Sequence, residues 1–206
     1  HDFGHSGVPL AVFLTALFVA VLALYPAALG YLAARFLRGP RWLRLTLLFP
    51  AGWTLMEWLR GWFLTGFPWL NVGYSQIDGP LAGYAPLLGV YGLSLVAVIS
   101  AALVMQMVCD RGRAGRYLGV LLLLWSGGWA LGQVSWVEPE GKPLRTALVQ
   151  GNVALDRKWS TQYRNEIVQR YTRLTLEQQD VALVVWPEAA LPATRDELQE
   201  GFLQQL

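Results

Sequence analysis

The sequence predicts a polytopic α-helical membrane domain followed by the start of an α/β domain. Three observations lead there: an apolar composition, long uncharged stretches through the first two thirds of the chain, and a switch to strand-and-helix periodicity after a polar linker. Of 206 residues, 54% are hydrophobic and 15% charged, with ten tryptophans, and the mean hydropathy is +0.37. Soluble domains carry about 25% charged residues.

The first stretch, Val8 to Ala34, is uncharged and long enough to cross a hydrocarbon core about 30 Å thick at about 1.5 Å per residue. Pro26 and Gly30 lie within it, where membranes tolerate a kink. A second span is expected over residues 42–64, with Pro50 and Gly52 inside and Glu57 and Arg60 near its far end. A third covers 86–108, closed by Asp110, Arg111, Arg113 and Arg116, and a fourth covers 117–134. The membrane domain is thus expected over residues 1–136, with a linker at 137–143 rich in Glu, Pro and Gly.

Charge sets the expected orientation. Loops 35–44 and 110–116 hold four and three arginines, whereas 61–85 holds neither Lys nor Arg. The positive-inside rule places the two arginine-rich loops in the cytoplasm and 61–85 on the opposite side, and four crossings put everything after Val134 there too. Because the basic residues adjoin apolar spans, the pI of 8.8 reflects topology, and nucleic acid is not an expected partner. The single cysteine, Cys109, excludes an intrachain disulfide framework and a CxxC zinc cluster. It lies at the end of the third span, across the membrane from the residues after Val134, so it is expected to be structural. His1 and His5 are too few and too terminal for a metal site, and no phosphate-binding glycine loop or GxSxG elbow occurs, so neither metal nor cofactor is expected. The chain starts at His1, not Met, and stops at Leu206 within a helical pattern, as a piece of a longer protein would.

Residues 144–206 change grammar. Leu144 to Gln150 reads as a strand ended by Gly151–Asn152. Ser160 or Thr161 is placed to cap a helix with Tyr163, Ile167, Val168, Tyr171 and Leu174 at helical spacing. Val181 to Val185 reads as a second strand, buried on both faces, and Asp196 begins another helix. About sixty residues are too few to close such a domain alone.

Chemistry is expected where that second strand ends. Glu188 follows it directly, at the carboxyl end where α/β proteins place their sites, and Trp186 and Pro187 suggest an apolar surround. From position alone Glu188 is either a general base or a polar residue that marks a strand end. Trp159, on the loop after the first strand, reaches the same sheet end if the strands are parallel; a packing role is the alternative. Glu57 and Arg60 share a helix face near the membrane's outer edge and form either a functional pair or a structural ion pair. Trp69 and Tyr74 lie in the long aromatic loop 65–85, which is either a functional loop or an ordinary interfacial belt.

Taken in order, RGWFLTGFPWLNVGYSQIDGPL (Arg60–Leu81), ALVQGNV (Ala147–Val153), Lys158–Trp159 and VVWPEAALP (Val184–Pro192) resemble bacterial apolipoprotein N-acyltransferases over nearly the whole chain. The resemblance implies a multi-span domain in the inner (cytoplasmic) membrane joined to a periplasmic nitrilase-like αββα sandwich, of which residues 144–206 would be the N-terminal part. It implies transfer of an acyl chain from a phospholipid to the N-terminal diacylglyceryl-cysteine of an apolipoprotein, through a thioester acyl-enzyme. Glu188 matches the family's base, and Arg60, Trp69 and Trp159 match positions around the site and its lipid entrance. The family's catalytic lysine and cysteine would lie beyond Leu206, since Lys158 and Cys109 do not match them, so the chain by itself is expected to be inactive. Two other readings share part of the pattern: a membrane-anchored nitrilase-type amidase, which has no reason to keep the 60–81 loop, and a non-catalytic membrane scaffold.

Overall fold

The computed structural model describes residues 7–192, and the chain divides into two compact units, one spanning Pro9–Glu138 and the other taking in the residues from Pro139 onward. The helix expected from Asp196 lies outside the described residues.

The first unit is helical. Helix α1 (Val8–Phe36) carries Pro26 inside it and buries only Leu29; Val12, Phe13, Leu17 and Phe18 are all about half exposed or more. A helix apolar all round and unburied is what a lipid-facing span looks like. The second helical run begins at α2 (Arg41–Leu43), passes through a π-helical turn at Arg44–Leu48 and continues as α3 (Phe49–Trp62). The cause of the π turn is Pro50, which has no N–H to give the preceding turn; widening that turn lets the run continue past it. Helix α4 (Ala85–Cys109) is broken at Gly89, and its lead-in begins at a 3₁₀ turn, Pro80–Tyr84. Helix α5 (Ala114–Leu131) follows a second 3₁₀ turn. Among the described residues two helices are long and apolar enough to cross a membrane, Val8–Phe36 and Pro80–Cys109. The other two stretches expected to span do not reach that length and hydropathy on their own: the α-helical part of the second is interrupted by the π turn, and α5 includes Arg116 and several glycines and tryptophans.

Helix α4 is the centre of this unit. Its buried residues Leu93, Val96, Ser100 and Leu103 recur every three or four positions and face α3, α5 and the 3₁₀ turns of the preceding loop. Ser100 ties two helices together, its Oγ donating to the Val96 carbonyl at 2.8 Å and accepting from Trp125 Nε1 at 3.2 Å.

In the second unit β1 (Thr146–Leu148) pairs in parallel with β2 (Leu183–Val185), Ala147 opposite Val184. Between them come α6 (Leu155–Lys158) and α7 (Arg164–Leu176). Val149, Ile167, Tyr171 and Ala190 form the core, with Val153, Tyr163, Leu174, Val184 and Trp186 packed against it; each large side chain so buried contributes about 1.5–3 kcal/mol. Of the residues read at helical spacing, Tyr163, Ile167, Tyr171 and Leu174 therefore do pack into this core, and Val168 is not among them. Two expectations change. Neither Ser160 nor Thr161 makes a capping bond, because a 3₁₀ turn at Thr161–Tyr163 leads into α7 instead. The second strand is covered on one face only: Val184 is half-buried while Leu183 and Val185 are exposed.

Candidate functional site

Two sets of the expected residues are drawn together, one in each unit. In the membrane-type unit the loop after α3 reverses sharply. Leu64, Thr65 and Gly66 all have positive φ, and a Cβ on Gly66 would fall 2.1 Å from the Gly61 carbonyl oxygen, so the third position admits only glycine. The loop then descends through short 3₁₀ turns at Pro68–Leu70 and Val72–Gln76. Glu57 and Arg60 fasten it. Glu57, 2% exposed, uses Oε1 to accept from Trp53 Nε1 at 2.9 Å and from the Val72 backbone N–H at 2.8 Å. Arg60 donates from Nε to the Phe67 carbonyl at 3.2 Å and from Nη2 to Asn71 Oδ1 at 2.9 Å. The Phe67 N–H returns to the Arg60 carbonyl at 2.7 Å.

Glu57 and Arg60 thus share a face as their spacing requires, but they form no ion pair with each other among the described residues; each holds a different part of the loop. The buried Glu57 carboxylate keeps its second oxygen without a partner, as does the Asn71 amide nitrogen. Asn71, 5% exposed, is the member that sequence reasoning missed. Its only signal was a lone amide in an aromatic run. Ser94 was missed too: its Oγ accepts the Gly73 N–H at 2.8 Å in a buried contact. Further on, Gly83 lies so close to α5 that a Cβ would stand 1.9 Å from the Gly128 carbonyl oxygen, and Tyr84 donates to the Leu124 carbonyl at 2.9 Å.

What the clamp presents is aromatic. Trp69 is 69% exposed, its ring 5.0 Å from Phe67, which in turn meets Phe18 of α1 edge to face at 5.2 Å. Tyr74 is half exposed. Large exposed apolar rings on a fixed loop are costly in water and at home in a bilayer interface.

In the second unit the parallel pairing carries both strands to one end, where a cleft of about 400 Å³ opens between Val149, Asn152, Lys158, Tyr171 and Trp186. Glu188 stands beside it at the tip of a turn closed by Ala190 N–H donating to the Pro187 carbonyl at 3.2 Å. Ala189, next in the turn, has φ 52°, a left-handed conformation that costs a non-glycine residue about 1–2 kcal/mol. Lys158, the last residue of α6, donates from Nζ to the Glu188 carbonyl at 3.3 Å. Among the described residues the expected apolar surround of Glu188 is not found. Trp186 turns inward, 5.2 Å from Tyr171 and bonded through Nε1 to Thr175 Oγ1 at 2.9 Å, while Glu188 is exposed. Trp159, adjacent to Lys158, is 65% exposed and outside the core. Cys109 is exposed at the end of α4, in the other unit from Glu188. No group of three His, Cys, Asp or Glu residues arranged to hold a metal ion occurs among the described residues.

A helical unit with a clamped aromatic loop, joined to a parallel strand pair with a carboxylate at its carboxyl end, defines a membrane-type module fused to an α/β module. Residues 1–103 match the family model described as the apolipoprotein N-acyltransferase N-terminal domain. The whole chain aligns at 43% identity with apolipoprotein N-acyltransferase of Methylococcus capsulatus, covering 41% of that protein. It aligns over 98% of its length at 47% identity with that of Photobacterium profundum, covering 39% of it, and over its full length at 42% identity with that of Pseudomonas syringae, covering 41%. The chain belongs to the apolipoprotein N-acyltransferase family, and it spans about two fifths of the length of these relatives.

Proposed function

We propose that the protein to which this chain belongs moves an acyl chain from a phospholipid to the α-amino group of the N-terminal diacylglyceryl-cysteine of an apolipoprotein. The observation that carries this reading is the position of Glu188: one turn beyond a parallel strand, exposed beside a cleft, at the tip of a turn that keeps Ala189 in a costly conformation. Backbone strain of that kind persists where a side chain must be presented.

Glu188 is the general base. It takes the proton of a cysteine thiol supplied by the part of the protein outside this chain, the thiolate attacks the phospholipid ester carbonyl, and the lysophospholipid alkoxide leaves with the proton from Glu188. The resulting thioester is attacked by the lipoprotein amine, which releases the thiol. A lysine, also from outside this chain, stabilises the tetrahedral oxyanion. Lys158 plays a different part, since by holding the Glu188 carbonyl it fixes the turn from which the carboxylate projects. Residues 144–206 are the beginning of a nitrilase-like sandwich, and Trp159 borders its site.

The membrane unit crosses the bacterial inner membrane four times, with the arginine loops in the cytoplasm and residues 61–85 and the α/β unit on the periplasmic side. Trp69 and Tyr74 then sit at the outer interface, where a phospholipid donor enters, and Glu57 and Arg60 act on it through the loop they hold. Glu188→Gln in the full-length protein, assayed with a phospholipid donor and a diacylated lipopeptide, tests the reading. Loss of transfer by about 10²–10⁴-fold is the expected result for removal of a general base, and unimpaired transfer would remove Glu188 from that role.

A further inference from the structure

A groove at the other end of the membrane unit from the clamped loop combines apolar walls with a basic rim. A groove of about 590 Å³ lies between the π-helical turn, α4 and α5, walled by Leu47, Ile99, Leu103 and Val120. Arg113, Arg116 and Tyr117 line the same groove, and all three belong to the turn after α4 and the first turn of α5. Ile99 is ten residues before the end of α4 at Cys109, so the apolar walls reach about 15 Å into the helix bundle from the basic end. One end is therefore cationic and wet, the rest apolar.

The charges at that end are not all committed. Asp110 Oδ2 is approached by Arg113 Nη1 and by the Tyr117 hydroxyl, each at 3.5 Å. Arg113 stays 60% exposed in that contact. Arg116 is exposed and makes no hydrogen bond or ion pair among the described residues. Arg111 adds a further positive charge on the same turn. The end of the groove thus carries net positive charge above an apolar trough.

We propose that this groove binds one anionic glycerophospholipid from the leaflet that the arginine loops face, its headgroup phosphate on Arg116 and Arg113 and one acyl chain along Leu47, Leu103 and Val120. The charge complements an anionic headgroup, and the trough complements a chain; a soluble anion would use only the first. The site lies at the opposite end of α4 from the clamped loop, so this lipid is a bound structural partner and not the acyl donor. The inference rests on the proposed membrane embedding.

The full-length protein is reconstituted into nanodiscs of phosphatidylcholine doped with phosphatidylglycerol, and lipid retained after mild delipidation is counted by native mass spectrometry. Wild type should retain one phosphatidylglycerol in preference to phosphatidylcholine. Arg116→Gln should lower that preference about fivefold, the effect of one cationic side chain near an anionic headgroup, while Arg116→Lys should keep it. Equal retention of the two lipids by wild type, or no change in Arg116→Gln, would overturn the site. Failure of the protein to enter nanodiscs at all would instead overturn the membrane reading, and this proposal with it.

Discussion

At the scale of single residues, what decides a role is which atoms a side chain is free to offer. Glu57 reads from its sequence as one half of a functional or structural pair with Arg60, yet its Oε1 is spent on Trp53 and Val72. Glu57→Ala leaves two half-buried donors unpaired and is expected to destabilise the membrane unit by about 1–3 kcal/mol; Glu57→Gln keeps an acceptor there and should cost clearly less. Thermal unfolding of the full-length protein in detergent separates the two variants. Arg60 bonds two loop acceptors with different nitrogens of one planar group, which a lysine cannot copy. Arg60→Lys should therefore behave like Arg60→Ala, with faster hydrogen exchange at residues 67–72. Rescue by lysine would point instead to a plain charge effect. Sequence spacing placed Glu57 and Arg60 on one face. It gave no sign that Asn71 was the target of Arg60, since the two stand eleven residues apart and meet only through the loop reversal at 64–66.

At the scale of elements, short-range pattern was legible and interruptions were not. The apolar face of α7 and of the turn before it was readable because Tyr163, Ile167, Tyr171 and Leu174 repeat at helical period and pack into the core. The two strands were readable as runs of β-branched and apolar residues, although their paired cores shrink to three residues each. Coverage of one strand face is a tertiary fact that no window of sequence contains. The π turn before Pro50 and the break at Gly89 were likewise hidden, since proline and glycine mark where a helix can yield but not how. Loop packing offers a test at this scale. Gly83→Ala drives a methyl into the Gly128 backbone, where neither side has a flexible end to move, and an overpacking cost of about 1–3 kcal/mol is expected. Limited proteolysis within residues 63–84 should rise in that variant, and an unchanged digestion pattern would mean the loop is not held against α5.

At the scale of the molecule, composition alone announced a membrane protein, and the order of motifs announced the family to which the chain belongs. The proposed orientation rests on arginine placement. A periplasmic reporter fused after Gly141 in the full-length protein should be active, and one fused at residue 112 should not; the reverse pattern would overturn the four-span topology. The catalytic reading joins the two units through chemistry: a base on the α/β unit, a donor that resides in the bilayer, and a covalent acyl-enzyme between them. The most direct measurement is of that intermediate. The full-length protein is incubated with a phospholipid labelled in its acyl chain, without any lipopeptide acceptor, and examined for label that hydroxylamine releases. Wild type should accumulate hydroxylamine-sensitive label and discharge it when a diacylated lipopeptide is added, while Glu188→Gln should acquire almost none. Equal labelling of the two proteins, or acyl transfer with no labelled protein at any time, would contradict the account.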